Sequence, residues 1–413
     1  MSPMKISVDP VVARRIKLAW SKLNPDQQRR ILPMLVRAHQ QAVVISQTKS
    51  APQPDPTVNH NLLLTHSLLN DDRDSVLNSL EAGVVVDIGP EGQIWGTGKY
   101  QQLDPGWTEA AAVWLEHVFT GKHPFPNNPP VIAVPDSVQI AMAGDWGTGE
   151  WRSASNPAPS TDVARHLAFL QPHITIHLGD VYYAGSSEQE QHLLVEIWPA
   201  GSIGSFTLNS NHEMYSGGKP YFDVALASSK FSLQKQSSFF ALENTNWVIV
   251  GLDSAYYASE DGMYMDGALD NTQVAFLKAQ VAKGKKVIVL THHNGLSDDG
   301  SATNSLWDEV MSAFPPNAGP AYWYWGHVHA GVVYHNHDPQ GRNVACRCCG
   351  HGALPWGQAP VFNNPTNVAW YEKRSAKDPD IPERVLNGFA VLYLDGPNIN
   401  EVFYDENGGV AWA

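Results

Sequence analysis

The sequence predicts an α/β fold for residues 131–413, preceded by a mainly helical segment over residues 1–130. Three observations predict it. From residue 137 short apolar runs alternate with helical ones. Several of those runs stop at a side chain able to bind a ligand. Before residue 130 the apolar spacing is helical, and the proline-rich GKHPFPNNPPVIAVPD (121–136) separates the two textures.

In order along the chain, PVVARRIKLAWSKL and DQQRRILPMLVRAHQQAVVI predict two helices over 9–46, divided at Asn24-Pro25. Pro33 lies inside the second and predicts a kink or break. SAPQPDPTVN (50–59) reads as a linker. DDRDSVLNSLEAG (71–83) reads as a helix with a glycine stop, VVVDIGPEGQIW (84–95) as strand, turn, strand, and TEAAAVWLEHVF (108–119) as a helix. In the second part, VQIAMAG ends at Asp145, ITIHLG at Asp180, SFTLNS at Asn211-His212, KKVIVLT at His292 and AYWYWG at His327. Helices are expected between them at 162–171, 187–198 and 271–283, and the last two runs pair as a hairpin.

Composition narrows the function. The chain has 413 residues, 43% of them hydrophobic, which is ample for a large core. Its net charge of −14 argues against nucleic acid as a partner, because phosphate backbones need basic stripes. No apolar run approaches the ~18 residues of a membrane span, so no membrane partner is expected. The N-terminus shows no apolar leader core, which favours a cytoplasmic location. Cys346, Cys348 and Cys349 have no distant partners and read as small buried apolar residues.

An aspartate at the end of a buried strand is costly unless it is paired or holds a metal. The strand ends supply two carboxylates, Asp145 and Asp180, three imidazoles, His292, His327 and His329, and the neutral amide oxygen of Asn211. Hard anionic oxygens, a carboxylate able to bridge, and imidazoles are what two neighbouring cations need.

The blocks GDWG (144–147), GDVYYA (179–184), NHE (211–213), VLTH (289–292) and GHVH (326–329) resemble, in this order, the five signature blocks of the calcineurin-like metallophosphoesterases. They are more narrowly similar to the purple acid phosphatase branch. That branch carries a tyrosine three residues after the second aspartate, here Tyr183, and a glutamate ending the third block, here Glu213. The resemblance implies two facing mixed β-sheets flanked by helices (αββα). It implies Fe(III) held by Asp145, Tyr183 and His329, a divalent Fe, Zn or Mn held by Asn211, His292 and His327, and Asp180 bridging them. Hydroxide generated on the two ions would cleave a phosphate monoester, with His212 as general acid and Glu213 tuning it. A phosphodiesterase with the same metals is the alternative, and a non-catalytic scaffold on this fold is a third reading. The partner expected is a small phosphorylated substrate.

Other residues stay open. Tyr182 adjoins Tyr183, and either suits a core; the motif spacing selects Tyr183. His293 adjoins His292 and is a candidate substrate or supporting contact. His351 is a candidate to reach the site from a neighbouring loop, and Trp146 and Tyr215 are candidates to wall the pocket. His173 and His177 read as structural, and His335 and His337 as part of a solvated loop. Ser210 stands where glycine usually precedes the asparagine, so that turn is expected to differ slightly.

Overall fold

The computed structural model describes residues 5–55, 57–70, 76–336 and 341–413. In chain order the strands are β1 (Val85–Ile88), β2 (Ile94–Gly96), β3 (Val131–Ala133), β4 (Ser137–Ala143), β5 (Ile174–His177) and β6 (Gly204–Thr207). They continue as β7 (Phe240–Glu243), β8 (Trp247–Gly251), β9 (Lys286–Leu290), β10 (Tyr322–Trp325), β11 (Gly331–Tyr334) and β12 (Ala345–Cys349). The last are β13 (Val368–Tyr371), β14 (Gly388–Asp395), β15 (Asn398–Asp405) and β16 (Val410–Trp412).

Two mixed sheets dominate. One has eight strands in the order β13-β11-β12-β10-β9-β8-β7-β3, the other six in the order β16-β15-β14-β4-β5-β6. The expected hairpin is β14 against β15, and it lies in the middle of the smaller sheet beside β4. Both sheets are buried on both faces, and the alternation of a strand assigns each side chain to one of them. On β4, Val138, Ile140 and Met142 face the other sheet, where they meet Ile288 and Leu290 of β9 and Tyr324 of β10. The intervening Ala141 and Ala143 face outward, against Val163 and Leu167 of the helix Pro159–Phe169. On β9 the outward Val287 and Val289 are covered by Leu306, Trp307 and Val310 of the helix Ser305–Met311. This is the αββα sandwich expected from the motif resemblance. The three cysteines are buried on β12.

The N-terminal part is helical with one hairpin, β1 against β2. The helix Pro25–Thr48 begins at a capping box, in which Asn24 and Gln27 satisfy each other's end of the helix. It runs through Pro33 without the break that the sequence allowed for. Pro33 sits on the exposed side of the helix, while Ile31, Leu35, Ala38 and Ala42 anchor the other side in the core. The carbonyl that the missing N–H leaves free faces water, so the interruption is tolerated. Of the helix expected over 71–83, Val76–Ser79 is helical and residues 71–75 lie outside the described residues, as does His337. Helices at Trp107–Thr120 and Asn271–Val281 stand where expected.

One apolar cluster crosses the expected boundary near residue 130. It joins Leu35, Leu62 and Trp107 to Tyr182, Tyr183, Met214, Tyr215 and Tyr264. The N-terminal helices therefore pack directly on the loops that follow β5 and β6.

Candidate metal centre

β4, β5 and β6 are parallel neighbours in one sheet, and β9 and β10 are parallel neighbours in the other. Their C-terminal ends deliver side chains to one crevice, as parallel strands do. The turns there are sharp. Asp145, Asp180, His327 and His329 all have positive φ, at 57°, 78°, 67° and 53°. Non-glycine residues held in this region cluster at functional sites, where the surrounding structure over-determines them. The backbone also closes tightly round Asp145: a Cβ on Gly326 or Gly350 would stand 2.7 or 2.8 Å from its Oδ2. That oxygen accepts from the His327 backbone N–H at 2.8 Å, which turns Oδ1 toward the crevice.

Two groups of polar atoms meet there. In the first, Asp145 Oδ1 lies 3.2 Å from His329 Nε2, and the Tyr182 hydroxyl donates to Asp180 Oδ2 at 2.7 Å. The same hydroxyl is 3.4 Å from Asp145 Oδ1 and 3.3 Å from His329 Nε2. In the second, His292 Nε2 stands 3.3 Å from Asp180 Oδ1 and 2.9 Å from Asn211 Oδ1. His327 joins this group, its ring 5.1 Å from that of His292. Asp180 thus turns one oxygen to each group.

The donor chemistry fits cations. His292 Nδ1 donates to the Leu178 carbonyl at 2.8 Å, which leaves the Nε2 lone pair facing Asn211 Oδ1. The Asn211 amide nitrogen is taken up by the Tyr215 hydroxyl at 3.1 Å. Two acceptors aimed at each other from 2.9 Å are the arrangement a metal ion satisfies. Burial, reinforced by Asp180, pushes the Asp145 carboxyl up to about 6. Burial pushes Asp180 upward too, but His212, His292 and His329 hold it well below the ordinary range. Burial opposes the charge on His329, yet Asp145 and Asp180 raise it to about 9. Asp145, Asp180 and His329 could hold one ion; His292, His293 and His327 gather donor atoms for a second, with Asn211 Oδ1 beside His292.

All the expected ligands meet here except Tyr183. Its hydroxyl points away and donates to Asp104 of the N-terminal part, against the rings of Tyr100 and Trp107. Tyr182 occupies the crevice instead. The neighbour that the motif spacing selects is turned aside because Asp104, fixed by the backbone N–H groups of Tyr100 and Gly106, takes up the Tyr183 hydroxyl.

Other candidates sort by geometry. His212 Nδ1 donates to the Tyr183 carbonyl at 2.7 Å, so Nε2 faces the crevice, 3.9 Å from Asp180 Oδ2. Burial lowers its pKa, with Asp180 and that carbonyl opposing. Ser210 caps the short helix Asn211–Tyr215 in ordinary extended backbone. Its hydroxyl ties Asp180 to Glu213, a link that a glycine there lacks. Tyr215 joins Asn211 to Asn61. His293 has both ring nitrogens engaged, by Ser254 Oγ at 2.9 Å and the Tyr264 carbonyl at 2.8 Å, and it forms a wall behind His327. His351 lies beneath the site, stacked on Phe403, and shares only a void of about 10 Å³ with His329. Trp146 does not wall the pocket: it is fully buried against Trp198 and donates to the Ser160 carbonyl. The flat indole is drawn into the outer core, where its N–H finds a partner. His173 and His177 bond to Gln139 N and Thr207 Oγ1, as structural residues do, and His335 is exposed.

The crevice opens into a cleft of about 720 Å³. Its far wall comes from the N-terminal part: Arg37, Pro52, Asn59, His60 and Trp95 line it opposite His327, His329 and Trp356. The stretch read as a linker is therefore part of this wall. No sequence signal marked His60, because the distance from it to the strand ends is closed only by tertiary packing.

Residues 138–331 match the family model of calcineurin-like phosphoesterases. Over these residues the chain is similar to a calcineurin-like phosphoesterase domain. No curated protein matches the chain. A purple acid phosphatase, PPD1, from seeds of yellow lupin (Lupinus luteus) is similar over 70% of this chain and 54% of its own, at 14% identity and a TM-score of 0.49. The chain thus spans about half the length of that protein. GAP50, the anchor in the inner membrane complex of Plasmodium, is similar over 67% of this chain and 87% of its own, at 15% identity and a TM-score of 0.46. The matched range supplies every strand end of the crevice, and the wall opposite lies outside it. Among the described residues no helix is long and apolar enough to cross a membrane.

Proposed function

We propose that the protein is a metal-dependent hydrolase of phosphate monoesters. The observation that carries this reading is Asp180, whose two oxygens face two separate groups of ligand atoms. Bound between those groups, two cations would neutralise phosphoryl oxygens and acidify a water. Asp145, Tyr182 and His329 would hold one ion, Asn211, His292 and His327 the other, with Asp180 between.

The chain's own residues supply the rest. Asn211 is oriented by Tyr215, so its oxygen, not its amide nitrogen, meets the ions. His212 holds its Nδ1 proton on the Tyr183 carbonyl and presents Nε2 to the crevice, where a proton on Nε2 can pass to a departing alkoxide. Trp107 and Tyr215 pack against the His212 ring and keep water from its flanks.

Metal analysis of the purified protein, followed by rates on nitrophenyl phosphate and bis-nitrophenyl phosphate, tests the reading. Two ions per chain and a faster monoester reaction are expected. A faster diester reaction would make the protein a phosphodiesterase. A protein that retains no metal and cleaves neither ester is a scaffold, and the proposal is then wrong.

A further inference from the structure

We propose that His60, carried by the N-terminal part, is a substrate-binding residue of this site: one ring N–H donates a hydrogen bond to the phosphoryl group held beneath it. The inference rests on the phosphoester chemistry proposed above, but not on the identity of the metals.

The turn His60–Leu62 is built for this placement. The Asn59 side chain accepts from the Asn61 backbone N–H at 2.8 Å and fixes the turn. Asn61, fully buried, donates to the Tyr215 hydroxyl at 2.8 Å, and Tyr215 in turn contacts Asn211. Leu62 is locked into the core on the other side. The turn is thus registered against the metal-binding strand ends, and His60 is the side chain it presents to the cleft, opposite His327 and His329.

The imidazole is held and yet unused. Trp107 meets it edge-on, with ring centroids 4.9 Å apart, and the same indole lies 5.9 Å from the His212 ring. Among the described residues, neither His60 ring nitrogen has a hydrogen-bond partner. His292 and His293, by contrast, have both ring nitrogens engaged, and His212 and His329 have one each. The half-buried ring is open to the cleft, so its N–H is free to meet a ligand oxygen there. Burial, with His212 and His329 adding to it and Asp180 opposing, lowers His60 to about 3. It is therefore neutral at working pH and acts as a donor, not as a fixed cation. A neutral donor adds directionality beside two metal ions without competing for them.

The experiment compares the full-length wild type with His60→Phe, His60→Ala and His60→Gln. Phenylalanine keeps a ring against Trp107 but offers no N–H, and glutamine keeps a donor without the ring. Inorganic phosphate is titrated by calorimetry into each metal-loaded protein, and metal content is measured alongside. His60→Phe and His60→Ala should bind phosphate about tenfold more weakly, the size expected when one hydrogen bond to a charged group is lost. His60→Gln should recover part of that loss, and all four proteins should hold the same metal. Phosphate affinity unchanged in His60→Phe overturns the inference, and so does a fall in metal content, which would make His60 a support of the ions. A wild type that cleaves phosphoesters while His60→Phe binds phosphate normally sinks this inference alone. A wild type that neither binds phosphate nor cleaves any ester sinks the proposed function with it.

Discussion

Tyr182 and Tyr183 are adjacent, alike in chemistry, and turned to opposite sides of a chain that makes a tight turn after Asp180. Tyr182 stands among Asp145, Asp180 and His329, where burial and the carboxylates hold its phenol protonated well beyond the ordinary range. Only a strongly charged cation would draw the proton off. If Fe(III) is that cation, a visible charge-transfer band should arise from Tyr182. The band should vanish in Tyr182→Phe and survive in Tyr183→Phe; the reverse result would restore the motif's choice. Tyr183→Phe should instead cost about 1–3 kcal/mol of stability, read by denaturant titration, because Asp104 loses a buried donor. His212 makes a second residue-scale test. In His212→Ala, kcat should fall most for alkyl esters, whose leaving alkoxide needs a proton, and least for nitrophenyl esters. Equal losses on both would remove it as the acid. The residues gathered in the crevice were legible in the sequence because most of them stand just past the end of a short apolar run. The tyrosine was not, since its direction depends on Asp104, a residue far off in the chain.

Elements show the same division. The strands that lead into the crevice and the longer helices were readable from their apolar runs and periodicity, because alternation on β4 or β9 answers directly to two buried faces. Pro33 did not break its helix, because its cost depends on which side of the helix meets water. The helical turn Ser187–Gln189, which widens over Glu190–Val195, carries a feature that no pattern announced. Glu190 is wholly buried, and neither of its carboxyl oxygens has a hydrogen-bond partner among the described residues. Burial alone raises it to about 8, and Glu213 nearby is raised as well, by burial first and then by Glu190. In the unfolded chain a glutamate titrates near its ordinary 4.5. Between these values the folded protein keeps a proton that the unfolded chain releases, so stability is greatest below about pH 4.5 and falls as pH rises toward 8. Glu190→Gln removes the titration while keeping the shape. Its stability gain should be on the order of 2–4 kcal/mol at pH 8 and vanish at pH 4.5, as read from paired melts across that range. Parallel curves for the two proteins would show that Glu190 holds no such proton.

At the scale of the molecule, the N-terminal part is half of a cleft and part of a core. Its composition revealed helices and a proline-rich passage, but not what they cover, because the covering face is made by residues scattered over the rest of the chain. Trp107 lies on Tyr182 and Tyr183, the Tyr100 hydroxyl donates to the Thr148 carbonyl, and His117 bonds to the Tyr264 hydroxyl. Arg30 pairs with Asp261 across the rim of the cleft. The last pair is exposed and contributes little, so the apolar contact is what holds the two parts together. Cutting the chain at residue 131 would bare Tyr182, Tyr183, Met214, Tyr215 and Tyr264 in one patch, all nearly inaccessible in the whole protein. Contiguous apolar surface of that kind drives association. It would also strip Asn211 of the Asn61–Tyr215 chain that orients its amide. Residues 131–413 produced alone should therefore aggregate in size-exclusion chromatography with light scattering, and any soluble fraction should hold less than its complement of metal. Supplying residues 1–130 in trans should restore a one-to-one complex and its metal. A monomeric, fully metallated fragment that cleaves phosphoesters at the whole protein's rate would show that the N-terminal part is only an attachment, and that the cleft it walls has no bearing on the chemistry below.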